Sequence, residues 1–233
     1  MIGYGKMGKE IASVAAGRGH EITATIDSEA DWMEKIDDLR QSDVAIEFST
    51  PDTAVDNIMK CFNIGIPVVV GTTGWYDQLD SVVHDCRQRG NAALFVASNF
   101  SIGVNILFDI NRRLADLMNR YPQYDVRIDE THHVHKLDAP SGTAITLAND
   151  IINRLDRKEE WKLNGTQPDE LCITARREGE VSGTHQVTYN SEVDTISICH
   201  AAKSRKGFAV GAVLAAEFLD GKRGYFTMND LLQ

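Results

Sequence analysis

The chain has 233 residues, of which 42% are hydrophobic, and its 24 lysines and arginines against 34 aspartates and glutamates give a formal net charge of -10. This length suffices for one large domain or two small ones, and the acidity argues against a nucleic-acid partner. The chain has no apolar run long enough to span a bilayer, no signal-peptide pattern and only four scattered cysteines, so we predict a soluble cytoplasmic protein that does not bind membranes.

The first half of the chain alternates β-rich runs with helical periodicities. The predicted strands cover residues 21–27, 43–49, 67–74 and 92–98. Between them, apolar residues recur three and four positions apart, which is typical of helices packed on a sheet. Alternating strands and helices predict right-handed βαβ units, so we expect an α/β fold with a Rossmann-like parallel sheet.

A G-x-G-x-x-G pattern opens the first predicted helix and is formed by Gly3, Tyr4, Gly5, Lys6, Met7 and Gly8. Its glycines permit a tight turn and close approach of the backbone to a pyrophosphate at a helix N-terminus. The pattern alone is weak evidence, and a glycine turn with a surface aspartate is the alternative. Only Met1 and Ile2 precede the first glycine, so we expect the first strand of the sheet to be cut short.

Asp27 ends the next predicted strand, where an acidic residue is expected to bind the hydroxyls of an adenosine ribose. A carboxylate accepts hydrogen bonds from a free 2′-hydroxyl and repels the 2′-phosphate of NADP. The residues that follow, SEADW, include no arginine or lysine to offset that repulsion. We therefore predict NADH and/or NADPH as the cofactor, with NADH favoured by Asp27.

Two further loops follow predicted strands and are rich in small and hydroxyl-bearing residues. They contain Gly71, Thr72 and Thr73 in the first loop, and Ala97, Ser98, Asn99 and Phe100 in the second. Ligands of open parallel sheets bind at the carboxyl ends of the strands, so we predict that both loops bind the cofactor near its nicotinamide ring or ribose. Ordinary turn chemistry is the alternative for either loop alone.

The pattern changes after Asn105, where a long helical periodicity is followed by an alternating strand at 125–133. Further strands are predicted at 170–178, 184–190 and 192–202, which indicates an α+β unit with a largely antiparallel or mixed sheet. The apolar helix predicted at 208–220 returns to the first domain. We therefore predict a dinucleotide-binding domain of residues 1–103 plus 207–233, with residues 104–206 inserted as a second domain.

The stretch DETHHVHKLDAPSGTA, residues 129–144, places three histidines and a lysine within five positions. A metal site is one interpretation, but neighbouring histidines on a strand point to opposite faces, so at most His133 and His135 share a side. Lys136 also argues against a cation, and we predict no metal. A solvated loop without a function is a second alternative. We favour proton transfer, because imidazole exchanges a proton near neutral pH.

A helix start follows this cluster. Ser141, Gly142 and Thr143 precede apolar residues at helical spacing, so their backbone N–H groups and hydroxyls form a cup for a carboxylate, with the charge of Lys136 nearby. The predicted substrate is a small, anionic, carboxylated molecule. Together with the cofactor residues, the cup indicates a nicotinamide-dependent reductase of a small acid.

The same stretch follows the pattern E-x-H-H-x-x-K-x-D-x-P-S-G-T-A, formed by Glu130, His132, His133, Lys136, Asp138, Pro140, Ser141, Gly142, Thr143 and Ala144. This pattern is highly specific, and nearly end to end the chain resembles the 4-hydroxy-tetrahydrodipicolinate reductase (dihydrodipicolinate reductase) family of the bacterial diaminopimelate and lysine pathway. The strings GYGKMG, GTTG, ASNFSIGVN and SRKGFAVGAV also fall where that family has its cofactor loops and its return segment.

The resemblance implies that His132 donates and accepts a proton, that Lys136 is the second catalytic group, and that the substrate's carboxylates are held by His133, Gly142 and Thr143. It implies hydride transfer from NAD(P)H to C4 of a cyclic imine, with loss of the 4-hydroxyl as water, to give tetrahydrodipicolinate. Members of the family are typically homotetramers assembled through the sheet of the second domain. We therefore expect a homotetramer and a small dicarboxylate substrate.

Two departures from the family pattern concern the cofactor rather than the substrate. The nucleotide loop is one residue shorter than the common G-x-x-G-x-M-G form, and the first strand is short.

Two alternative functions remain: another nicotinamide-dependent dehydrogenase of a small amino or keto acid, and a non-catalytic dinucleotide sensor. A semialdehyde dehydrogenase needs a cysteine nucleophile, which no site motif contains, and a sensor has no need of the His-Lys cluster.

Overall fold

The computed structural model describes residues 1–233, which divide into two compact units: Met1–Ile102 with Lys206–Gln233 (unit 1), and Gly103–Arg205 (unit 2). The elements up to residue 96 are α1 (Lys6–Gly17), α2 (Glu29–Glu34), α3 (Ile36–Leu39), β1 (Ala45–Glu47), α4 (Pro51–Ile64), β2 (Val68–Val70), a short 3-10 helix (Tyr76–Gln78), α5 (Leu79–Arg89) and β3 (Ala93–Val96). Those that follow are α6 (Ile102–Met118), β4 (Asp125–His132), α7 (Gly142–Ile152), β5 (Glu160–Leu163), β6 (Glu170–Arg177), β7 (Thr184–Asn190), β8 (Thr195–Ala201), α8 (Lys206–Leu219), β9 (Gly224–Phe226) and α9 (Met228–Leu231).

Unit 1 contains a parallel sheet with the strand order β1-β2-β3-β9. Its strands are apolar on both faces: Val68 and Val70 pack into one hydrophobic cluster with α4 and α5, while Val69 packs into a second cluster with α1 and α8. Burial of both faces is characteristic of parallel sheets that are covered by helices on each side. The predicted Rossmann-like α/β fold is confirmed.

The predicted strand at 21–27 is wrong, because that segment makes only one isolated parallel bridge, between Ile26 and Ile2. Ile2 makes a second bridge to Glu47, so the first strand is indeed short. A ladder requires a neighbour that supplies successive N–H and C=O groups. The backbone partners of this segment are Met1 and Gly3. The amino group of Met1 donates to the carbonyl of Ala24 at 2.7 Å, the N–H of Ile26 donates to the carbonyl of Met1 at 2.8 Å, and the N–H of Gly3 donates to the carbonyl of Ile26 at 2.7 Å.

Unit 2 contains a five-stranded sheet with the order β5-β6-β4-β7-β8. β4 is parallel to β6 and antiparallel to β7, and the sheet is therefore mixed, which is one of the two forms predicted. Apolar residues of α6 and α7 pack with the inward residues of β4, β6 and β7 around Ile128, Leu147 and Val187. No helix of the chain combines the length and apolar character that crossing a membrane requires.

Candidate functional site

Three loops of unit 1 follow the carboxyl ends of β1, β2 and β3 and meet around the ring of Phe48. A Cβ atom at Gly71 would lie 2.1 Å from Cζ of Phe48, so only glycine fits there without moving the ring. The ring of Phe100 lies 5.6 Å from that of Phe48, between centroids. The structure thus brings together the two predicted cofactor loops, and Phe48 is a contact that the sequence analysis missed.

The glycine-rich turn has the properties that a pyrophosphate requires. Gly3 has a φ of 78°, and a Cβ atom there would lie 2.3 Å from the carbonyl oxygen of Phe48. A Cβ atom at Gly8 would lie 2.2 Å from the carbonyl oxygen of Gly3, which lets α1 pack directly on the turn. Gly5 faces open space and caps α1 without a side chain, so the first turn of the helix, with Lys6 and Met7, is open to an anion.

Asp27 is tied to this turn, because its Oδ1 accepts a hydrogen bond from the backbone N–H of Tyr4 at 2.9 Å. A small cavity beside Asp27 has no lysine or arginine among its lining residues, which include Ser28, Glu29 and Ser49. Lysines nearby are paired with carboxylates: Nζ of Lys35 with Asp31 at 2.5 Å, and Nζ of Lys60 with Glu29 at 2.6 Å and Asp56 at 2.9 Å. The cavity is therefore acidic.

A buried polar network that the sequence analysis missed lies behind this cavity. Glu47, which is fully buried at the end of β1, accepts hydrogen bonds from the backbone N–H of Ser49 at 3.0 Å and from Nδ2 of Asn57 at 3.4 Å. Nε1 of Trp32 donates to Oδ1 of Asn57 at 3.1 Å. The sequence did contain one indication of this network: Ser49 lies at the carboxyl end of a predicted strand, and small polar residues at that position often contact ligands.

The remaining predicted cofactor residues differ in exposure. Thr72 is buried and its Oγ1 has no hydrogen-bond partner, whereas Thr73 and Ser98 are exposed. Ala97 is buried beneath the second loop, and Oδ1 of Asn99 accepts a hydrogen bond from the N–H of Ser101 at 2.9 Å. A buried hydroxyl without a partner costs free energy, so Thr72 is the residue of these loops best explained by contact with a ligand.

In unit 2, the predicted proton-transfer residue His132 ends β4 and is 8% exposed. Its Nδ1 forms a hydrogen bond with a carboxylate oxygen, Oε2, of Glu130. Its other ring nitrogen, Nε2, faces Gly183, where a Cβ atom would lie only 2.9 Å away. Burial lowers the pKa of His132, and the hydrogen bond and charge of Glu130 oppose that shift.

Glu130 is the centre of the polar contacts around His132, although the sequence analysis gave it no role. It is 1% exposed, and its Oε1 accepts hydrogen bonds from the backbone N–H of Ser141 at 3.2 Å and from both terminal nitrogens of Arg177 at 3.1 Å. Arg177, also missed, bonds through Nη2 to the carbonyl of Asp138 at 2.5 Å. Buried charges require such compensation.

Lys136 lies in the loop after β4, with its Nζ 2.8 Å from Oδ1 of Asp138. This contact lowers the pKa of the Asp138 carboxyl. The ring of His133 lies 5.9 Å from that of His135, and its Nδ1 is buried without a partner. His135 itself is exposed and pairs with Glu180 at 3.1 Å, which leaves His133 as the better candidate for a ligand contact.

The start of α7 is the predicted site for a carboxylate. Oγ of Ser141 accepts the N–H of Ala144 at 3.2 Å and lies 2.8 Å from Nε2 of His185, so this hydroxyl is engaged within the protein. Gly142 faces open space. The N–H groups of Gly142 and Thr143, at the first positions of the helix, are left to bind an anion.

His185 is a buried imidazole that the sequence analysis did not single out. Its ring meets that of His132 edge to face, with centroids 5.0 Å apart. Burial, together with the charges of His132, His200 and Lys136, lowers the pKa of His185 to about 3. It is therefore neutral at physiological pH and acts on the site by packing and by its contact with Ser141.

The groups able to hold a metal are Glu130, His132 and His185, whose ligand atoms lie within 4.8 Å of one another. They differ from the pair His133 and His135 considered from the sequence. Arg177 already pairs with Glu130 at 3.1 Å, and a guanidinium at that distance repels a cation. The geometry of the cluster is better explained by an ion pair that holds an imidazole than by a metal centre.

Comparisons with known proteins agree on one family. Residues 1–100 match the family model for the N-terminus of dihydrodipicolinate reductase, and residues 103–232 match the model for its C-terminus. The chain is 47% identical over 232 residues to 4-hydroxy-tetrahydrodipicolinate reductase from Christiangramia forsetii, covering 100% of this chain and 96% of that protein. It is 34% identical to the enzyme of the same name from Neisseria meningitidis serogroup B, covering 83% of this chain and 74% of that one.

A solved structure of similar fold is the dipicolinate-bound dihydrodipicolinate reductase from Paenisporosarcina sp. TG-14. The two chains superpose with a TM-score of 0.79 at 23% identity, over 98% of this chain and 97% of the other. Amine dehydrogenase from Mycobacterium smegmatis has a TM-score of 0.58 at 10% identity, over 98% of this chain and 94% of the other. At these identities the structural matches speak for the fold, while the family models and curated relatives speak for the family.

Proposed function

The chain belongs to the dihydrodipicolinate reductase family, and on that basis we propose that His132 and Lys136 carry its proton transfer and charge stabilisation. The reaction is the NAD(P)H-dependent reduction of 4-hydroxy-tetrahydrodipicolinate to tetrahydrodipicolinate with loss of water, in diaminopimelate and lysine biosynthesis. One observation supports this residue assignment. The imidazole of His132, which is hydrogen-bonded to the carboxylate of Glu130, occurs together with Lys136 and the open start of α7.

The two domains predicted from the sequence are assigned different tasks. Residues 1–103 plus 207–233 are proposed to bind the cofactor, through the open first turn of α1, Asp27 and the two loops around Phe48. Residues 104–206 are proposed to bind the substrate and to form the oligomer. When bound, the reduced nicotinamide supplies the hydride that ends at C4 of the substrate.

The substrate's carboxylates are proposed to bind at the start of α7 and beside Lys136. The N–H groups of Gly142 and Thr143 donate to one carboxylate, with the positive end of the helix dipole behind them. The buried Nδ1 of His133 and the ammonium of Lys136 are the further groups for this dicarboxylate, and Ser141 acts by holding the helix start. Lys136 is near Asp138 and can exchange that partner for substrate.

His132 is proposed to manage the proton. Hydride addition to a conjugated C=C–C=N system leaves negative charge on the carbon next to C4, and that carbon must take up a proton. Nε2 is the ring nitrogen left for this transfer, because Nδ1 is bonded to Glu130. The hydroxyl of C4 and a hydrogen of the neighbouring carbon leave first as water, which creates the conjugated system. After hydride addition, Nε2 of the imidazolium gives its proton to that carbon while Lys136 stabilises the developing charge.

NADH is proposed as the preferred cofactor. The cavity beside Asp27 is acidic, and Lys35 and Lys60 are held by carboxylates rather than available to a 2′-phosphate. A 2′-phosphate placed near Asp27 would meet like charge without compensation. Kinetics with both cofactors test this preference directly.

A homotetramer in the cytoplasm is proposed as the working form. β8 is an edge strand of the unit 2 sheet, and Ile196 on it and Val193 just before it are 38% and 87% exposed. Exposed edges with apolar residues are usually covered by a partner. All four cysteines are free thiols, which is typical of a reducing compartment. No nucleic acid or membrane is proposed as a partner.

The experiment that tests this function is an NADH oxidation assay with enzymatically generated 4-hydroxy-tetrahydrodipicolinate. Rapid oxidation that requires this substrate is expected, with small amino and keto acids as comparison substrates. Turnover of one of those acids alone would instead favour a different dehydrogenase. Cofactor binding without turnover of any of them would favour a dinucleotide sensor.

A further inference from the structure

The strand register of the unit 2 sheet places four ionisable residues next to one another on one face: Glu130, His132, Arg177 and His185. β4 and β6 are paired so that His132 lies opposite Arg177, and β4 and β7 are paired so that Glu130 lies opposite His185. Residues 130 and 132 are two apart on one strand and therefore share a face. The contacts among these side chains thus follow from the fold of the sheet itself.

We propose that Glu130 and Arg177 are the positioning residues of the reaction, with Glu130 fixing the ring and tautomer of His132 and Arg177 fixing Glu130 together with the Lys136 loop. This inference rests on the proposed function and adds to it two residues that do not touch the substrate. Its central geometric fact is that one carboxylate contacts His132 through Oε2 and Arg177 through Oε1.

The tautomer follows from the partners of each ring nitrogen. A carboxylate can only accept, so Nδ1 of His132 carries hydrogen in the neutral ring and Nε2 has the lone pair. Protonation then adds the transferable proton to Nε2, which is beside Gly183 rather than bonded within the protein. Without Glu130, both tautomers become available and the ring is free to rotate, as happens when the carboxylate behind a catalytic histidine is neutralised.

Arg177 links this imidazole to the second catalytic group. Besides its bonds to Glu130, its Nε donates to the carbonyl of Lys136 at 3.3 Å and its Nη2 to the carbonyl of Asp138 at 2.5 Å. One planar guanidinium therefore holds both ends of the segment that carries Lys136. A lysine at position 177 retains the charge but has no rigid fork with which to make these bonds together.

The charged and titratable groups that face His132 are Glu130 on its own strand, Arg177 on β6, His185 on β7 and Lys136 in the following loop. Glu130 is the only one of them that favours the imidazolium, while Lys136 and Arg177 oppose it. Removing the carboxylate therefore leaves two cations and a buried site to disfavour protonation.

Glu130→Gln tests the first half of the proposal, with Glu170→Gln as the matched control because Glu170 is a buried, lysine-paired glutamate on β6. For Glu130→Gln we expect kcat to fall roughly 10²-fold with a smaller change in the substrate KM. The pH above which kcat/KM declines should also be lower than in the wild type. The control should leave the pH profile in place.

The tautomer is tested on the unaltered protein by nitrogen NMR of the histidine rings, with His132→Gln used to assign the signal. A neutral ring protonated at Nδ1 is expected, and protonation at Nε2 would overturn the proposal even if the Glu130 variant failed to fold. Arg177→Lys should raise the substrate KM more than Glu130→Gln does. A folded Glu130→Gln protein with wild-type kcat and pH profile would also overturn it.

These outcomes separate this proposal from the proposed function. If the unaltered protein did not reduce 4-hydroxy-tetrahydrodipicolinate, the proposed function would be wrong. Glu130 and Arg177 would then have no catalytic role in that reaction. The ring spectra are independent of turnover and would still decide whether Glu130 selects the tautomer.

Discussion

The backbone N–H of Tyr4 donates to Oδ1 of Asp27 at 2.9 Å, which joins the glycine-rich turn to the residue expected to meet the adenosine ribose. This bond uses one carboxylate oxygen and fixes the position of the other. The acidic cavity beside it contains no basic side chain among its lining residues. We therefore predict that the discrimination between NADH and NADPH depends on the charge of the Asp27 carboxylate.

Asp27→Asn keeps the acceptor for Tyr4 but removes the charge. We expect the ratio of kcat/KM for NADPH to that for NADH to rise about tenfold or more, since the repulsion of the 2′-phosphate is lost. Steady-state kinetics with both cofactors measure this ratio. Asp37→Asn, at an exposed carboxylate on α3, is the control and should leave it unchanged. A wild-type KM for NADPH far below that for NADH would contradict the assignment of Asp27.

His132→Gln should lower kcat roughly 10²-fold or more with little change in KM, because a general acid is removed while substrate binding persists. Stopped-flow or steady-state oxidation of NADH measures both constants. His135→Gln is the matched control, since His135 is three positions further on, exposed and paired only with Glu180. A variant with the kcat of the wild type would exclude proton transfer by His132.

Lys136→Ala should lower kcat and raise the substrate KM together, because the ammonium acts on both the bound substrate and the transition state. Lys162→Ala provides the control, since Lys162 is also a carboxylate-paired lysine of unit 2 but lies on β5. Separate titrations of substrate and NADH distinguish the two binding steps. If only the KM for NADH changed, Lys136 would have to be reassigned to the cofactor.

Much of the fold was predictable because the patterns that indicate strands and helices lie within short stretches of the sequence. The apolar runs at 67–74 and 92–98 include β2 and β3, and the alternation at 184–190 coincides with β7. β9 was missed because three residues, Gly224–Phe226, are too few for a periodicity, and β5 because its EWKL sequence is mostly exposed. The strand predicted at 21–27 failed because local preference cannot supply a neighbouring strand.

The site was predictable to a smaller extent. The motif that begins near the end of β4 predicted His132, Lys136 and the start of α7 as site residues, since these residues are close in sequence. Arg177 and His185 contact them only through the register of β6 and β7, which no local pattern reveals. Phe48 was likewise missed because its role depends on how closely Gly71 approaches its ring. Long-range packing therefore accounts for what the sequence analysis left out.

Gly71→Ala should destabilise the protein by about 1–3 kcal/mol, because the added methyl group overlaps the Phe48 ring and the loop or the ring must shift. Urea unfolding followed by circular dichroism measures the loss. The KM for the cofactor should rise as well, since the displaced ring underlies both cofactor loops. Gly17→Ala is the control, because nothing lies within 4 Å of a Cβ atom there.

His185 makes the stability of the protein sensitive to acid. Its pKa is lowered to about 3 in the folded protein by burial, whereas an unfolded histidine titrates near its ordinary value of 6.5. Between these two values the unfolded chain binds the extra proton, so stability is full above the unfolded pKa and falls as pH decreases. Between pH 7 and pH 4 this one group should remove on the order of 3 kcal/mol of unfolding free energy.

His185→Gln removes the titrating group while an amide can still bond to Oγ of Ser141. We therefore expect the variant to lose less stability between pH 7 and pH 4 than the wild type, even if it is less stable at pH 7. Urea titrations at pH 7 and pH 4 measure the free energy of unfolding of the variant and of the wild type at each pH. His84→Gln is the control, since His84 is exposed on α5. Equal acid sensitivity of the wild type and His185→Gln would mean that other groups, not this imidazole, account for the loss.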